Sequence, residues 1–344
     1  MSQSIPQTMR AAVLHGPLDI RLEERPTPAP APDEVLVKIK SVGVCGSDVH
    51  FYKDGKLGDW TVDEPLVLGH ESGGEIVAVG SDVDPGRVGQ RVSIEPQHPS
   101  TSSAETLRGE YNLDPAMRFY AVPGTDGAFQ EYQTIQSHFA FAVSEAVSDD
   151  AAGLMEPLSV AIATARKARL TVGDRVLIAG GGPIGLLCAQ VARAYGAAEV
   201  IISDPSAERR QIAARFGATA VIDPFDVDVA GLGLGVDAFF DASGASSAVV
   251  SGLRNVRPGG SVVIVGMGDT EVPLPIPVIQ NNEIWLTGIF RYNNTWPTAI
   301  GLVERGAVDL DGLVTNHYPL SQTAEALAST TQPGVIKSVV NPHL

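Results

Sequence analysis

Cysteine is nearly missing from this chain of 344 residues, which holds only Cys45 and Cys188. Two cysteines cannot build a disulfide framework, so the fold must stand on its own core, and a reducing compartment, the cytoplasm, is the expected setting. No secretory leader is expected, since MSQSIPQTMR carries no apolar segment of that kind. Positive charge is scarce: 24 Lys and Arg stand against 40 Asp and Glu, a formal net charge of -16. No basic block offsets that balance locally, and such a surface repels phosphate backbones and anionic lipid, which excludes nucleic acid and membrane surface as expected partners. Long hydrophobic runs are missing too. The most apolar stretch, VLIAGGGPIGLLCAQVA (176–192), is interrupted by four glycines and a proline, whereas a spanning helix takes about 20 apolar residues.

What is present is apolar content of 44% over a length that exceeds one core, since single cores stop growing near roughly 250–300 residues. Two domains are expected. The first 150 residues or so read as β-rich, with EVLVKIKSVGV (34–44), ESGGEIVAVG (71–80) and RVSIEP (91–96) as β-branched runs bounded by Gly, Pro and Asp. No long helix is expected there. From about residue 172 the pattern alternates: strands at 175–180, 199–203, 219–222, 236–241 and 261–266, with helices at 183–195, 206–216 and 246–256. Strands separated by helices imply an α/β, doubly wound parallel sheet.

Within that region GGGPIG (180–185) satisfies GxGxxG through Gly180, Gly182 and Gly185. It follows an apolar strand and opens a helix with Pro183 and Ile184, so the helix amides would face a pyrophosphate. Asp204 ends the next strand about 20 residues on, where a carboxylate can accept from ribose hydroxyls and repel a 2'-phosphate. The expected cofactor is NAD rather than NADP, with Arg209 and Arg210 as the residues that argue the other way. A helix N-cap before PSAERR is the alternative role for Asp204.

Cys45 sits in GVCGSDVHFY (43–52), with GHES following at 69–72 and LMEPLSV at 154–160. Thiolate, imidazole and carboxylate are the donors zinc accepts, and their wide spacing suits an open catalytic site better than a structural finger. Each residue also has a plainer role open to it: Cys45 as a small buried hydrophobe, His70 in a turn, Glu71 as a solvated charge, Glu156 as a carboxylate at a helix start.

GVCGSDVH, LGHESGGEIVAVG, LMEPLSVA, the glycine-rich turn, SDPSAERR and GIFRYNNTWPTAIGLV (288–303) together resemble the zinc-dependent medium-chain dehydrogenases, specifically their polyol branch of sorbitol and xylitol dehydrogenases. The resemblance implies a GroES-like β-rich catalytic domain (1–157), a Rossmann NAD-binding domain (158–289) and a C-terminal return to the catalytic domain (290–344). It implies a catalytic zinc on Cys45 and His70, with Glu71 and Glu156 both candidates for the remaining place. Asp48 would orient His70, while Ser47 and His50 would relay the substrate proton. Phe51, Phe119, Arg291 and Tyr292 would border the substrate, with an ion-pair role as the alternative for Arg291. Gly180, Gly182, Pro183, Ile184, Gly185, Asp204 and Arg209 would hold NAD. The implied reaction is oxidation of a polyol's secondary hydroxyl to the ketose by a cytoplasmic homotetramer.

Departures matter as well. Residues 95–115 contain none of the four cysteines that hold a structural zinc in many relatives, so a single zinc is expected. His98 and Glu105 are expected in a solvated loop. Phe51 stands where polyol enzymes often carry tyrosine, and Cys188 reads as inert packing. The competing readings are dehydrogenases for L-idonate, butanediol or threonine, a zinc-free quinone reductase, and an inactive nucleotide-binding homologue.

Overall fold

The computed structural model describes residues 5–268 and 271–344, and the chain divides into two units, Met1–Glu156 with Leu310–Leu344, and Pro157–Asp309. Among the described residues no helix is long and apolar enough to cross a membrane.

The first unit is organised around the strand Glu34–Gly43, whose Val35, Val37, Ile39 and Val42 are fully buried. Burying side chains of this size contributes roughly 1.5–3 kcal/mol each. The strand lies inside a seven-stranded sheet in the order Ala140–Ala142, Arg91–Ile94, Glu71–Val79, Glu34–Gly43, Lys337–Asn341, Val314–Pro319, and it also pairs with Tyr132–Gln136. Gly43 faces Glu71 on one neighbour and Val339 on the other, so residues near 43, 71 and 337 meet although they are far apart in the chain.

In the region where sequence shows no sign of a long helix, the residues after Cys45 fold as the helix Gly46–Asp54. Cys45 is its N-cap, Asp48 reaches back to the Cys45 amide at 3.2 Å, and Gly55 ends it at φ 66° with its N–H on Phe51. The reason it escaped sequence reading is its low periodicity: only Asp48, Phe51 and Tyr52 are buried.

The second unit is a six-stranded parallel sheet in the order Ala220–Ile222, Glu199–Ser203, Arg175–Ala179, Val236–Asp241, Val256–Ile264, Trp285–Gly288. The helices Pro183–Ala194, Ala207–Ala213 and Ser246–Leu253 connect the strands. The order reverses between Arg175–Ala179 and Val236–Asp241, the point at which doubly wound sheets open a crevice at their carboxyl ends. The unit runs on to Asp309 rather than ending near residue 289. Gln190 explains the extension: its amide donates to the Asp309 carbonyl at 3.2 Å and accepts from the Asp309 N–H at 2.7 Å, tying residues after the helix Trp296–Glu304 to the buried helix Pro183–Ala194.

Candidate functional site

In the first unit the Cys45 Sγ, a His70 ring nitrogen and a Glu71 carboxylate oxygen lie within 4.8 Å of one another. The sequence places them there by three devices. Cys45 is delivered by a helix start, where negative charge is best accommodated. His70 precedes, and Glu71 opens, the strand Glu71–Val79, and both are buried. Gly43 leaves the room, because a Cβ on it would lie 2.0 Å from Glu71 Oε2.

The donor chemistry fits zinc: one thiolate, one imidazole and one carboxylate. A second sign is Glu71 Oε2 itself, which is buried with the Lys337 ammonium 2.6 Å away as countercharge but has no hydrogen bond to give up on meeting a metal. Burial alone would push His70 down, but the Asp48 carboxylate and the Cys45 sulfur beside it outweigh burial and hold the imidazole well above its ordinary value. The pocket therefore attracts positive charge. Glu156, in the first turn of the helix Met155–Lys167, is 5% exposed and stands outside the three-donor cluster. Its charge is still felt nearby, as a secondary contribution at Glu95, where burial pushes the carboxyl up to about 7 despite hydrogen bonds from Tyr111 and Gln97.

Asp48 is fully buried, accepts from the Gly69 N–H at 3.0 Å and the Cys45 N–H at 3.2 Å, and faces His70 Nδ1 at 3.5 Å. Held so, Nδ1 is engaged and Nε2 is the nitrogen free for a metal. Asp48→Ala strands the buried Gly69 amide and the partly buried Cys45 amide, and an unsatisfied buried donor costs about 1–3 kcal/mol. We expect it to lower unfolding stability by about 2–4 kcal/mol in denaturant titration and to weaken metal binding by roughly 10–100-fold. Asp48→Asn should retain part of both.

The remaining predicted residues of this unit occupy different settings. Ser47 is half-buried on the first turn of the Gly46–Asp54 helix. His50 is exposed and faces Asp54 Oδ2 at 3.3 Å. Phe51 is 2% exposed and belongs to the hydrophobic core with Leu14, Leu68 and Phe129, so core packing accounts for its ring. Phe119 lies against the metal cluster, its ring centroid 5.5 Å from that of His70. His98 corrects an expectation: instead of lying in a solvated loop it is 7% exposed, in the short strand Gln97–His98 beside Tyr120, and burial pushes its pKa down to about 4. Glu105 stays partly exposed and pairs with Arg108 at 3.3 Å.

One residue was invisible to sequence reasoning. Lys337, 5% exposed, donates from Nζ to Glu71 Oε1 at 2.6 Å and to the Val44 carbonyl at 2.8 Å. Burial opposes its charge, but Glu71, Cys45 and Glu156 hold its pKa above the ordinary value. Its only local signal is a lysine in a β-branched run, which any edge strand could show.

In the second unit a cavity of about 570 Å³ opens at the carboxyl ends of the parallel strands, lined by Gly180, Gly182, Asp204, Arg209, Phe225 and Ser243 among others. Gly180 turns at φ 101°, and a Cβ on Gly185 would lie 1.8 Å from the Gly180 carbonyl, so the strand-to-helix turn closes only without side chains. Pro183 is the first residue of the helix that follows, and Ile184 the second. Asp204 accepts from the Gly181 and Ser206 N–H groups, both at 2.7 Å, and Arg209 Nη1 stands 3.8 Å from it. The N-cap alternative is corrected: Ser206, whose side chain accepts from the Arg209 N–H, caps the helix Ala207–Ala213. Cys188 is buried, and burial pushes its thiol up to about 12, which makes it inert. Arg291 adopts φ 57° and covers the Phe290 ring at 4.7 Å, while Tyr292 is buried against Trp296 with centroids 5.1 Å apart.

Comparison with known proteins adds the following. The chain matches the alcohol dehydrogenase GroES-like domain over residues 31–145 and the zinc-binding dehydrogenase domain over residues 183–305. Sorbitol dehydrogenase of Bacillus subtilis (strain 168) is 40% identical over 339 residues, covering 96% of this chain and 96% of that protein. Among solved structures, L-idonate 5-dehydrogenase of Escherichia coli K-12 superposes with a TM-score of 0.92 at 29% identity, covering 97% of this chain and 98% of that one. A Sinorhizobium meliloti 1021 protein described as a zinc-binding dehydrogenase bound to NADP gives a TM-score of 0.91 at 30% identity, covering 99% of this chain and 100% of that one.

Proposed function

This chain belongs to the zinc-dependent medium-chain dehydrogenases, in the polyol branch of the sorbitol dehydrogenases, and on that premise we propose that it oxidises a secondary hydroxyl of a polyol such as sorbitol or xylitol to the ketose, reversibly, with one zinc ion and NAD. The observation that carries the reading is the cluster of Cys45, His70 and Glu71, the last two buried, in a chain that also holds a glycine-turned crevice fit for a dinucleotide.

When bound, zinc supplies Lewis acidity that acidifies an alcohol, and the nicotinamide supplies a hydride acceptor. The chain's own residues do the rest. Cys45 and His70 would hold the metal, with Glu71 and Glu156 as the candidate carboxylates for the remaining place. Asp48 orients His70 through Nδ1. Ser47, half-buried, takes the hydroxyl proton toward the exposed His50 and solvent. Phe119 covers His70 and excludes water, while Arg291 and Tyr292 recognise the neighbouring hydroxyls. Gly180, Gly182 and Gly185 let the pyrophosphate approach backbone amides, and Asp204 with Arg209 holds the ribose.

The preference for NAD rests on Asp204, whose carboxylate would repel a 2'-phosphate; the NADP-bound neighbour makes this the property to measure. Asp204→Asn removes the charge while keeping an acceptor for the Gly181 amide. We expect the ratio of kcat/KM for NAD over NADP to fall at least about tenfold, a change of about 1.4 kcal/mol in relative transition-state binding.

A second reading is oxidation of a sugar acid. It is favoured by the 0.92 superposition on L-idonate 5-dehydrogenase and by a guanidinium at position 291 that could pair with a carboxylate. NAD-linked oxidation of sorbitol, xylitol, ribitol, L-idonate, butanediol and threonine separates the two. Highest kcat/KM on polyols supports the first reading, and turnover confined to L-idonate supports the second.

The same proposal includes a cytoplasmic homotetramer. Two free cysteines support the compartment. The edge strand Trp285–Gly288, with Trp285 51% exposed beneath the Arg169 guanidinium at 4.2 Å, supports association with a second copy.

A further inference from the structure

We propose that Lys337 is a positioning residue for the metal site: its ammonium clamps the Glu71 carboxylate in the place where it meets Cys45 and His70. The inference rests on the zinc reading above and extends it to a residue whose type, lysine, is not itself a donor for zinc.

Lys337 opens the strand Lys337–Asn341, and the adjacent strand Glu34–Gly43 runs toward Cys45. From there Nζ donates to Glu71 Oε1 at 2.6 Å and stands at the same 2.6 Å from Oε2, an ion-pair contact that leaves Oε2 without hydrogen-bond geometry. Its second hydrogen bond, to the Val44 carbonyl at 2.8 Å, ties down the residue before Cys45. A single ammonium therefore fixes one carboxylate donor by its side chain and the thiolate donor by its backbone. Glu71 is confined from the other side by Gly43, where a Cβ would collide with Oε2 at 2.0 Å.

Charge makes the same point. A lysine 5% exposed and a glutamate 1% exposed are both expensive to bury, and each is tolerable only because the other is present. The Cys45 sulfur and the carboxylates of Asp48, Glu71 and Glu156 crowd negative charge into this part of the unit, and Lys337 offsets part of it on the Glu71 side. Outer partners of metal donors are worth roughly 10–100-fold in metal affinity, and this one restrains two donors together.

The experiment uses the full chain loaded with cobalt in place of zinc, as wild type, Lys337→Met, Lys337→Arg, Glu71→Gln and the Glu71→Gln/Lys337→Met pair. Visible ligand-field bands and the rate of cobalt release to a chelator are read. Lys337→Met is expected to shift the bands and to release cobalt roughly 10–100-fold faster, with Lys337→Arg restoring both to within about threefold. The double variant, which leaves no buried unpaired charge and so covers the case where Lys337→Met does not fold, should release no faster than Glu71→Gln alone, because the lysine acts through that carboxylate. Bands and release rates for Lys337→Met within twofold of wild type, or additive effects in the double variant, would overturn the inference. Wild-type cobalt bands that survive Cys45→Ala would instead overturn the zinc reading beneath it.

Discussion

Cys45→Ala is expected to empty the metal site and to lower kcat/KM for polyol oxidation at least about 1000-fold, as befits loss of several kcal/mol of charge stabilisation in the transition state. The substitution is mild for the fold. Cys45 is only partly buried, its backbone amide still meets Asp48, and alanine fits the N-cap with loss of a weak sulfur contact. Metal affinity falls because His70 and Glu71 alone offer two donors. Dinucleotide binding should stay within about twofold of wild type, since the crevice of the second unit contains no residue near Cys45 in the chain. Metal analysis, steady-state kinetics and NAD titration on one preparation check all three.

Gly185→Val is the complementary change. Its first carbon would lie 1.8 Å from the Gly180 carbonyl, a backbone atom that cannot step aside because Gly180 is already turned to φ 101°. Relief requires the helix Pro183–Ala194 to move away from the strand Arg175–Ala179, withdrawing the amides that would face a pyrophosphate. We expect NAD affinity to fall at least about 100-fold, equivalent to about 2.7 kcal/mol, and stability to fall by about 1–3 kcal/mol from overpacking. Zinc content should remain at the wild-type value. Together the two variants would separate metal loss from cofactor loss.

The two halves differed in how far they could be read from sequence. The second unit repeats a local code, with apolar runs alternating with helical periodicity, so its strands at 175–179, 199–203 and 236–241 fall where the alternation predicts. The glycine turn was legible because its chemistry is local: strand, glycines, helix. In the first unit Cys45, His70 and Glu71 stood out as donor types; the structure brings them together, with His70 and Glu71 buried and Cys45 partly exposed, so Glu71 is not a solvated charge and Cys45 is not enclosed core filler.

Other features depend on partners that no local window contains. Lys337 meets Glu71 across 266 positions, through strands that become neighbours only when the C-terminal segment returns to the sheet. His98 looked like a loop residue because its flanks are Ser, Thr and Pro, yet Tyr120 and the strand Arg118–Phe119 close over it. The run from 290 to 309 carries no boundary signal of its own, and it is tied to the second unit by distant partners, Gln190 and Arg215 at Asp309 and Arg166 at Asn294 and Thr298. The resemblance alone assigns Phe51 to the substrate border, and no local window shows that its ring packs in the core.

On the proposed reading, turnover depends on a metal held by Cys45, His70 and Glu71. The direct measurement is metal content and NAD-linked polyol oxidation on one sample, before chelation, after it, and after titration with zinc. We expect one zinc per chain, loss of activity in proportion to its removal, and recovery that saturates at one equivalent in the wild type but not in Cys45→Ala. Full turnover by metal-free protein would contradict it.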